Sequence, residues 1–269
     1  MHYRASLKDK KTIVVKIGTS SLTFPNGRLN LKRIEKLVDV VSQIHSSGKG
    51  VVLVTSGSIA VGTGKLGKKR RPQTLPGKQA AAAIGQAVLM KIYQKFFNYY
   101  DKNVAQILLT YDVIQEEEKN LNAKNTFAKL LEMKAIPIVN ENDSVATDEI
   151  EIGDNDRLSA MVAGLCGADL LILLSDIDAM FTADPKKDPL AKRLSIVEEI
   201  TEEIENAASG AGSSFGTGGM ITKIIAAKMC NESDTDTIIA NGDQPEILFD
   251  IIDGKDIGTL FIASKNRTI

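Results

Sequence analysis

The chain has 269 residues, of which 43% are hydrophobic and 25% are charged. These fractions are those of an ordinary soluble globular protein, so they exclude disordered and fibrous architectures. The 33 basic and 34 acidic residues leave a net charge of −1, which argues against nucleic acid or an anionic membrane as a partner. No uncharged apolar run approaches the roughly 18 residues of a membrane-spanning helix, and the N-terminus lacks the apolar core of a signal peptide.

Cysteine and histidine are both rare. Cys166 and Cys230 follow no spacing pattern, which predicts reduced thiols in the core and a cytoplasmic location. With only His2 and His45 in the chain, we expect no histidine-based metal site.

Short β-branched runs predict strands along the whole chain. They cover residues 12–17, 50–55, 104–109, 136–140, 170–174, 237–240 and 259–262. Most are continuously apolar, which is typical of strands buried on both faces of a parallel sheet.

Helical patterns separate these runs, at residues 31–44, 78–99, 120–133, 155–166 and 219–229. The first has its apolar residues on one stripe, namely Leu31, Ile34, Leu37, Val38, Val41 and Ile44. Alternating strands and helices predict an α/β fold, a three-layer α/β/α sandwich around a central, mainly parallel open sheet. No linker divides the chain, so we expect one domain over residues 1–269, with an N-terminal part (about 1–165) and a C-terminal part (about 166–263) sharing the sheet.

Ligands of such sheets bind at the carboxyl ends of the strands, so the residues that follow each strand deserve comparison. Lys16 and Gly18 follow the first strand and offer a charge and a backbone amide to an anion, although a lysine extending to solvent beside a turn glycine is an equal alternative. Ser56 and Ser58 follow the second strand, where they either cap the next helix or line an anion site at its N-terminus.

Acidic and amide residues follow the fourth strand in unusual number. They are Asn140, Glu141, Asn142, Asp143, Asp148, Asp154, Asn155 and Asp156. Singly they are typical of turns and caps, but together they could bind an ammonium group or magnesium, or orient lysines. Their spacing does not fit a calcium-binding EF-hand loop.

A glycine-rich stretch at residues 216–223 leads into a helix that carries Lys223. Such a loop can present backbone amides to phosphate, or it can be a plain connector. Two other glycine patterns fail: residues 62–67 fit G-x-G-x-x-G but lie past the strand with no acidic partner downstream, and Lys69 occupies the Ser/Thr position of a P-loop.

Taken in order, six segments resemble the glutamate 5-kinases of the amino-acid kinase family. They are KIGTS (16–20), VTSGSIA (54–60), NENDSVAT (140–147), GDNDRLSA (153–160), LLSDIDAMFTADP (173–185) and GTGGMITK (216–223). The resemblance extends from about residue 12 to residue 262. It implies the amino-acid kinase fold, with ATP and Mg²⁺ as cofactors and L-glutamate as the substrate phosphorylated on its γ-carboxylate, the first step of proline biosynthesis.

The resemblance also implies roles for single residues. Lys16, Asp156 and Lys223 would be catalytic, with the carboxylate orienting the two lysines. Glutamate would contact Ser56, Asn140, Asp143 and Asn155, with Asp143 on its α-ammonium group and Asn155 on its α-carboxylate. ATP would contact Lys16, Gly18, Ser175, Asp176, Thr217, Gly218, Gly219, Met220, Ile221, Thr222 and Lys223. No protein metal site is implied, since Mg²⁺ would arrive on ATP.

The resemblance predicts partners as well. Many members carry a C-terminal RNA-binding domain of the PUA type, and this chain ends at Ile269, so we expect a form without it. A dimer or tetramer, feedback inhibition by proline and delivery of the product to a glutamyl-phosphate reductase are further expectations. The alternatives are a related kinase with another carboxylate or phosphate acceptor, or an inactive sensor of amino acids or nucleotides on the same fold.

Overall fold

The computed structural model describes residues 3–24, 28–68, 70–145, 155–185, 187–210 and 219–268. Eight strands form one sheet in the order β3-β4-β2-β1-β5-β7-β8-β6. Their bounds are β1 Thr12–Ile17, β2 Gly50–Val54, β3 Val104–Leu109, β4 Ile136–Glu141, β5 Leu170–Ser175, β6 Ile196–Val197, β7 Asp236–Asn241 and β8 Thr259–Phe261. All neighbouring pairs are parallel except β7 and β8, which are antiparallel.

Ten α-helices are found in the described part of the chain. They are α1 Thr19–Leu22, α2 Leu31–Ser46, α3 Ser58–Lys65, α4 Leu75–Asn98, α5 Asp112–Gln115, α6 Glu117–Glu132, α7 Asp156–Cys166, α8 Glu202–Gly210, α9 Met220–Glu232 and α10 Ile247–Ile252. Two 3₁₀-helices, Tyr3–Asp9 and Ser264–Thr268, flank them. None of the helices in the described residues is long and apolar enough to cross a membrane.

Alternate residues of the central strands pack into two separate hydrophobic cores. Ile13 and Val15 of β1 belong to a core with α2, α4 and α10, whereas Val14 belongs to a second core with α6, α7 and α9. Successive side chains of a strand point to opposite faces, so helices cover both faces of the sheet. The predicted three-layer α/β/α arrangement with a mainly parallel sheet is confirmed.

Local signals account for the two long helices of the first core. The Asn30 side chain accepts a hydrogen bond from the Arg33 amide and caps α2, and Thr74 caps α4 in the same way. The predicted apolar stripe of α2 is buried except for Leu31, whose side chain is 50% exposed. Leu31 is the first residue of the helix, and it is exposed because it lies beyond the core at the helix end.

Two other differences from the sequence prediction have physical causes. Strand β3 is at the edge of the sheet and is only partly buried, so its apolar run does not have the buried faces expected of a central strand. Strand β6 was not predicted because it has only two residues, Ile196 and Val197, which give no readable periodicity.

Candidate active site

Lys16 lies near the carboxyl end of β1, in the middle of the sheet. It is in register with Val54 of β2 and Leu173 of β5, so strands flank it on both sides. Its side chain is only 7% exposed although it carries a charge. A buried charge is costly unless it is paired, so Lys16 requires an anionic partner.

That partner is Asp156, the first residue of α7. Its side chain is fully buried, and its two oxygens contact different lysines: Oδ1 lies 2.6 Å from Lys16 Nζ, and Oδ2 lies 3.0 Å from Lys223 Nζ. Lys223 is 2% exposed and comes from the first turn of α9. Lys16 and Lys223 are 207 positions apart in the sequence, yet the fold brings them into one cluster with Asp156.

Thr222 adds a hydroxyl to the same cluster. Its Oγ1 is 3.0 Å from Asp156 Oδ2 and 2.8 Å from the Gly219 carbonyl oxygen. Gly219 is the N-cap residue of α9 in an extended conformation, and as a glycine it has no side chain that could cap the helix. The backbone amides of the first turn of α9 therefore lie beside Lys223, an arrangement that favours a bound anion.

Three buried side-chain amides form a relay beside this cluster. Asn155 Nδ2 donates to the Thr55 carbonyl oxygen (2.6 Å) and to Asn140 Oδ1 (2.8 Å), and Asn140 Nδ2 donates to Gln86 Oε1 (2.9 Å). Thr55 also places its Oγ1 3.0 Å from the Tyr93 hydroxyl, whose pKa burial raises well above its ordinary value. The relay joins the ends of β2 and β4 to α4 and to the start of α7.

Asp143 and Ser58 form a second polar pair at the same edge of the sheet. Ser58 Oγ donates to Asp143 Oδ2 over 2.7 Å, and both side chains are buried. Ser58 is the first residue of α3, and Gly57 before it has a positive φ of 93° that favours glycine. Nearby, Ser56 Oγ is 3.4 Å from the Ile17 carbonyl oxygen and from Thr19 Oγ1.

Two glycines bring α3 and α4 into backbone contact just behind these residues. A Cβ atom on Gly85 would lie 1.8 Å from the Ser58 carbonyl oxygen, and one on Gly62 would lie 1.8 Å from the Ala81 carbonyl oxygen. Only glycine permits so close an approach. The contact fixes the first residue of α3 against the α4 turn that carries Gln86.

The residues expected to bind ATP differ in how deeply they are buried. Ser175 is buried at the end of β5, where its Oγ accepts a hydrogen bond from the Ile177 amide, while Asp176 is exposed. The Gly18 amide donates to the Leu174 carbonyl oxygen over 3.3 Å, so it is already engaged within the sheet rather than directed at a ligand.

The α9 end of the expected ATP segment is partly described. Met220, Thr222 and Lys223 are buried, and Ile221 is 40% exposed. Thr217 and Gly218 lie outside the described residues, as do Asp148 and Asp154 of the acidic segment.

Two contributors to the site were missed or only half recognised from the sequence. Gln86 sits in the middle of a long helix and belongs to no motif, so no local signal marked it. Ser58 was predicted either to cap the next helix or to line an anion site, whereas its hydroxyl contacts a carboxylate of the protein.

The arrangement as a whole suits the binding and transfer of a phosphoryl group. Two buried lysines on one carboxylate and the N-terminus of α9 lie at the carboxyl ends of the parallel strands. Fixed positive charges around phosphate oxygens are what phosphoryl transfer requires of a protein. The fold and the site therefore define the class of the chain as an α/β phosphotransferase.

Comparison with known proteins agrees with that class. The profile described as "Amino acid kinase family" matches residues 11–241. Among solved structures, carbamate kinase from Giardia lamblia superposes with a TM-score of 0.66 at 15% identity, covering 96% of this chain and 100% of that one. UMP kinase from Bacillus anthracis gives a TM-score of 0.62 at 17% identity, covering 95% and 97%. At these identities the structures support the fold alone.

Closer relatives come from curated sequences. Glutamate 5-kinase from Clostridium perfringens is 55% identical over 268 residues, covering 98% of this chain and 100% of the relative. Glutamate 5-kinase from Clostridium tetani is 49% identical, covering 96% of this chain and 97% of the relative. The chain therefore belongs to the amino acid kinase family and, within it, to the glutamate 5-kinases.

Proposed function

We propose that this chain transfers the γ-phosphoryl group of ATP to the γ-carboxylate of L-glutamate, which gives L-glutamyl 5-phosphate and ADP. The observation that carries the proposal is the pair of buried lysines, Lys16 and Lys223, held on opposite oxygens of Asp156. The identity of the acceptor comes from the relatives, which are glutamate 5-kinases over nearly the whole chain. The product is the precursor that proline biosynthesis requires.

The chemistry needs no general base. The γ-carboxylate has a reference pKa of about 4.3, so it is ionised at neutral pH and attacks phosphorus directly. A new bond forms between a carboxylate oxygen and the γ-phosphorus, while the bond to the β–γ bridging oxygen breaks and its electron pair leaves with ADP. In this assignment Lys16 and Lys223 stabilise the charge on the equatorial oxygens, and Asp156 holds both lysines in place.

Magnesium would reach this site as a companion of ATP. The described residues contain no group of three or more His, Cys, Asp or Glu side chains that could hold a metal ion, and the cluster presents lysines instead. Bound to the phosphates, Mg²⁺ would neutralise part of their charge. The first-turn amides of α9 would contact the same phosphates.

The acceptor site is assigned to the polar residues at the ends of β2 and β4. Asp143 supplies a carboxylate for the substrate's α-ammonium group, and Ser58 holds that carboxylate through a 2.7 Å hydrogen bond. Asn140 and Asn155 lie in the same part of the site, where a hydrogen bond joins their side-chain amides. The proposal has three further parts. Proline inhibits the protein at this acceptor site, the chain assembles into a dimer or tetramer, and the product passes to a reductase.

The assay is product trapping with hydroxylamine. Wild-type protein with ATP, Mg²⁺ and L-glutamate should form γ-glutamyl hydroxamate, and Lys223→Ala should lower kcat far more than it raises the KM for glutamate. Asp143→Ala should instead mainly raise the KM for glutamate. Hydroxamate formation from a different acid but not from L-glutamate would refute the assigned acceptor, and an unchanged kcat in Lys223→Ala would remove Lys223 from the chemistry.

A further inference from the structure

The Thr222 hydroxyl lies between two oxygen acceptors. Its Oγ1 is 3.0 Å from Asp156 Oδ2 and 2.8 Å from the carbonyl oxygen of Gly219, three residues earlier in the chain. A hydroxyl has one hydrogen, and both a carbonyl and an ionised carboxylate can only accept. Asp156 is ionised because two lysines contact it. The hydrogen is therefore shared between the two acceptors, with the charged oxygen as the stronger partner.

Thr222 is more rigid than the two lysines that contact the same carboxylate. A lysine carries its ammonium group on a flexible four-carbon stem with rotatable donors, so Lys16 and Lys223 can follow a carboxylate that turns. The place of a threonine hydroxyl depends on one torsion angle, which branching at Cβ makes stiff. In Thr222 that angle is further held by the contact with the preceding turn of α9, and α9 packs against α7, which carries Asp156.

The Asp156 carboxylate has a rotational freedom that the lysines alone do not remove. Its torsion about the Cβ–Cγ bond has a broad distribution in aspartate residues, and each ammonium group has three hydrogens with which to follow it. The Thr222 hydroxyl reaches Oδ2 from a fixed direction and so selects one orientation of the carboxylate. In that orientation Oδ1 lies 2.6 Å from Lys16 Nζ and Oδ2 lies 3.0 Å from Lys223 Nζ.

We infer that Thr222 is the positioning residue of the lysine cluster. Its hydroxyl fixes the orientation of the Asp156 carboxylate and, through it, the places of the two ammonium groups around the transferred phosphoryl group. This role rests on the proposed function and differs from the one expected for Thr222. The sequence resemblance implied that Thr222 contacts ATP, whereas its hydroxyl is engaged with two oxygens of the protein. A contact between this residue and phosphate is left to its backbone amide.

Two replacements of Thr222 separate its hydroxyl from the shape of its side chain. Thr222→Val keeps the branched shape and removes the hydroxyl, so kcat should fall about 10- to 100-fold, the loss expected for a hydrogen bond to a charged group. The KM for glutamate should stay within about twofold, because the acceptor site is untouched. Thr222→Ser keeps the hydroxyl and should recover most of kcat. Wild-type kcat in Thr222→Val, or an equally low kcat in both variants, would overturn the inference.

Thr235→Val is the matched control for the loss of a buried hydroxyl. Thr235 is 1% exposed and precedes β7, at the ends of the strands away from the site, where its Oγ1 donates to the Ala168 carbonyl oxygen over 2.8 Å. Both valine variants should have lowered melting temperatures, because each loses a buried hydrogen bond. Only Thr222→Val should lose kcat. An equal loss of kcat in the two variants would indicate general damage and would overturn the inference.

Crystal structures of the wild type and the two Thr222 variants measure the orientation of the carboxylate without reference to activity. In Thr222→Val the Asp156 carboxylate should turn about its Cβ–Cγ bond and at least one lysine ammonium group should move with it, whereas Thr222→Ser should keep the wild-type arrangement. A wild-type orientation in Thr222→Val would overturn the inference even if kcat falls. Hydroxamate formation by the wild type tests the proposed function separately, since it does not depend on which residue holds the carboxylate.

Discussion

Asp156→Asn is the substitution that most directly probes the lysine cluster. Asparagine keeps the size of the side chain but removes the negative charge between Lys16 and Lys223. At an effective dielectric constant of about 20, each contact, at 2.6 Å and 3.0 Å, represents a gross attraction of about 6 kcal/mol. Desolvation of the buried charges offsets most of this, so the expected loss of stability is about 3–5 kcal/mol.

The effect on catalysis should be larger than the effect on substrate binding. Without the carboxylate the two ammonium groups repel each other and move from their places around the transferring phosphoryl group. We expect kcat to fall by at least about 100-fold, which corresponds to about 2.7 kcal/mol of lost transition-state stabilisation. Hydroxamate formation measures kcat, and urea unfolding followed by circular dichroism measures the free energy of unfolding.

The matched control is Asp169→Asn. Asp169 precedes β5 at the amino-terminal ends of the central strands, on the side away from the site. Its Oδ2 accepts hydrogen bonds from the Lys11 and Thr12 amides over 2.8 Å. This variant should lose stability but keep kcat once it is folded. Wild-type kcat in Asp156→Asn would refute the reasoning, and so would an equal loss of kcat in the two variants.

Three further predictions test the surroundings of the site. Ser58→Ala removes the hydrogen bond to Asp143 and should raise the KM for glutamate several-fold with kcat nearly intact; an unchanged KM would exclude Ser58 from positioning that carboxylate. Gly85→Ala drives a Cβ into backbone and should cost about 3 kcal/mol or more in unfolding free energy, against little for Gly164→Ala, whose Cβ meets only the end of a serine side chain at 3.1 Å; equal losses would contradict the helix contact. Burial raises the pKa of the Cys230 thiol to about 12, so this thiol should react with a disulfide reagent at neutral pH only on unfolding, and rapid labelling of the native protein would disprove its burial.

The sequence predicted the central sheet well because its strands are buried on both faces. A run such as residues 170–174 is apolar throughout, and it is readable without any knowledge of its neighbours. Strand β6 could not be predicted in this way, since two residues in register with the end of β8 depend on tertiary pairing alone. The exposure of edge strand β3 could not be predicted either, because its apolar sequence does not show that solvent reaches part of the strand.

The candidate site was predictable where function is tied to strand ends and motifs. Lys16, Asp156 and Lys223 were predicted to meet, and the structure brings them together through a shared carboxylate. The amide relay was not predictable, because Gln86 lies 54 positions from Asn140 in a helix without a motif. The hydrogen bonds of the Asn155 amide follow only from three-dimensional contacts, so no sequence pattern could predict them.

The measurement that tests the central claim most directly is oxygen transfer from the substrate. L-Glutamate labelled with ¹⁸O in its γ-carboxylate is incubated with the protein, ATP, Mg²⁺ and hydroxylamine, and the inorganic phosphate is analysed by mass spectrometry. If the γ-carboxylate attacks phosphorus, hydroxylamine displaces phosphate from the acyl carbon, and each phosphate carries one labelled oxygen. Phosphate without label, released at the same rate with and without glutamate, would mean that water is the acceptor and would contradict the account.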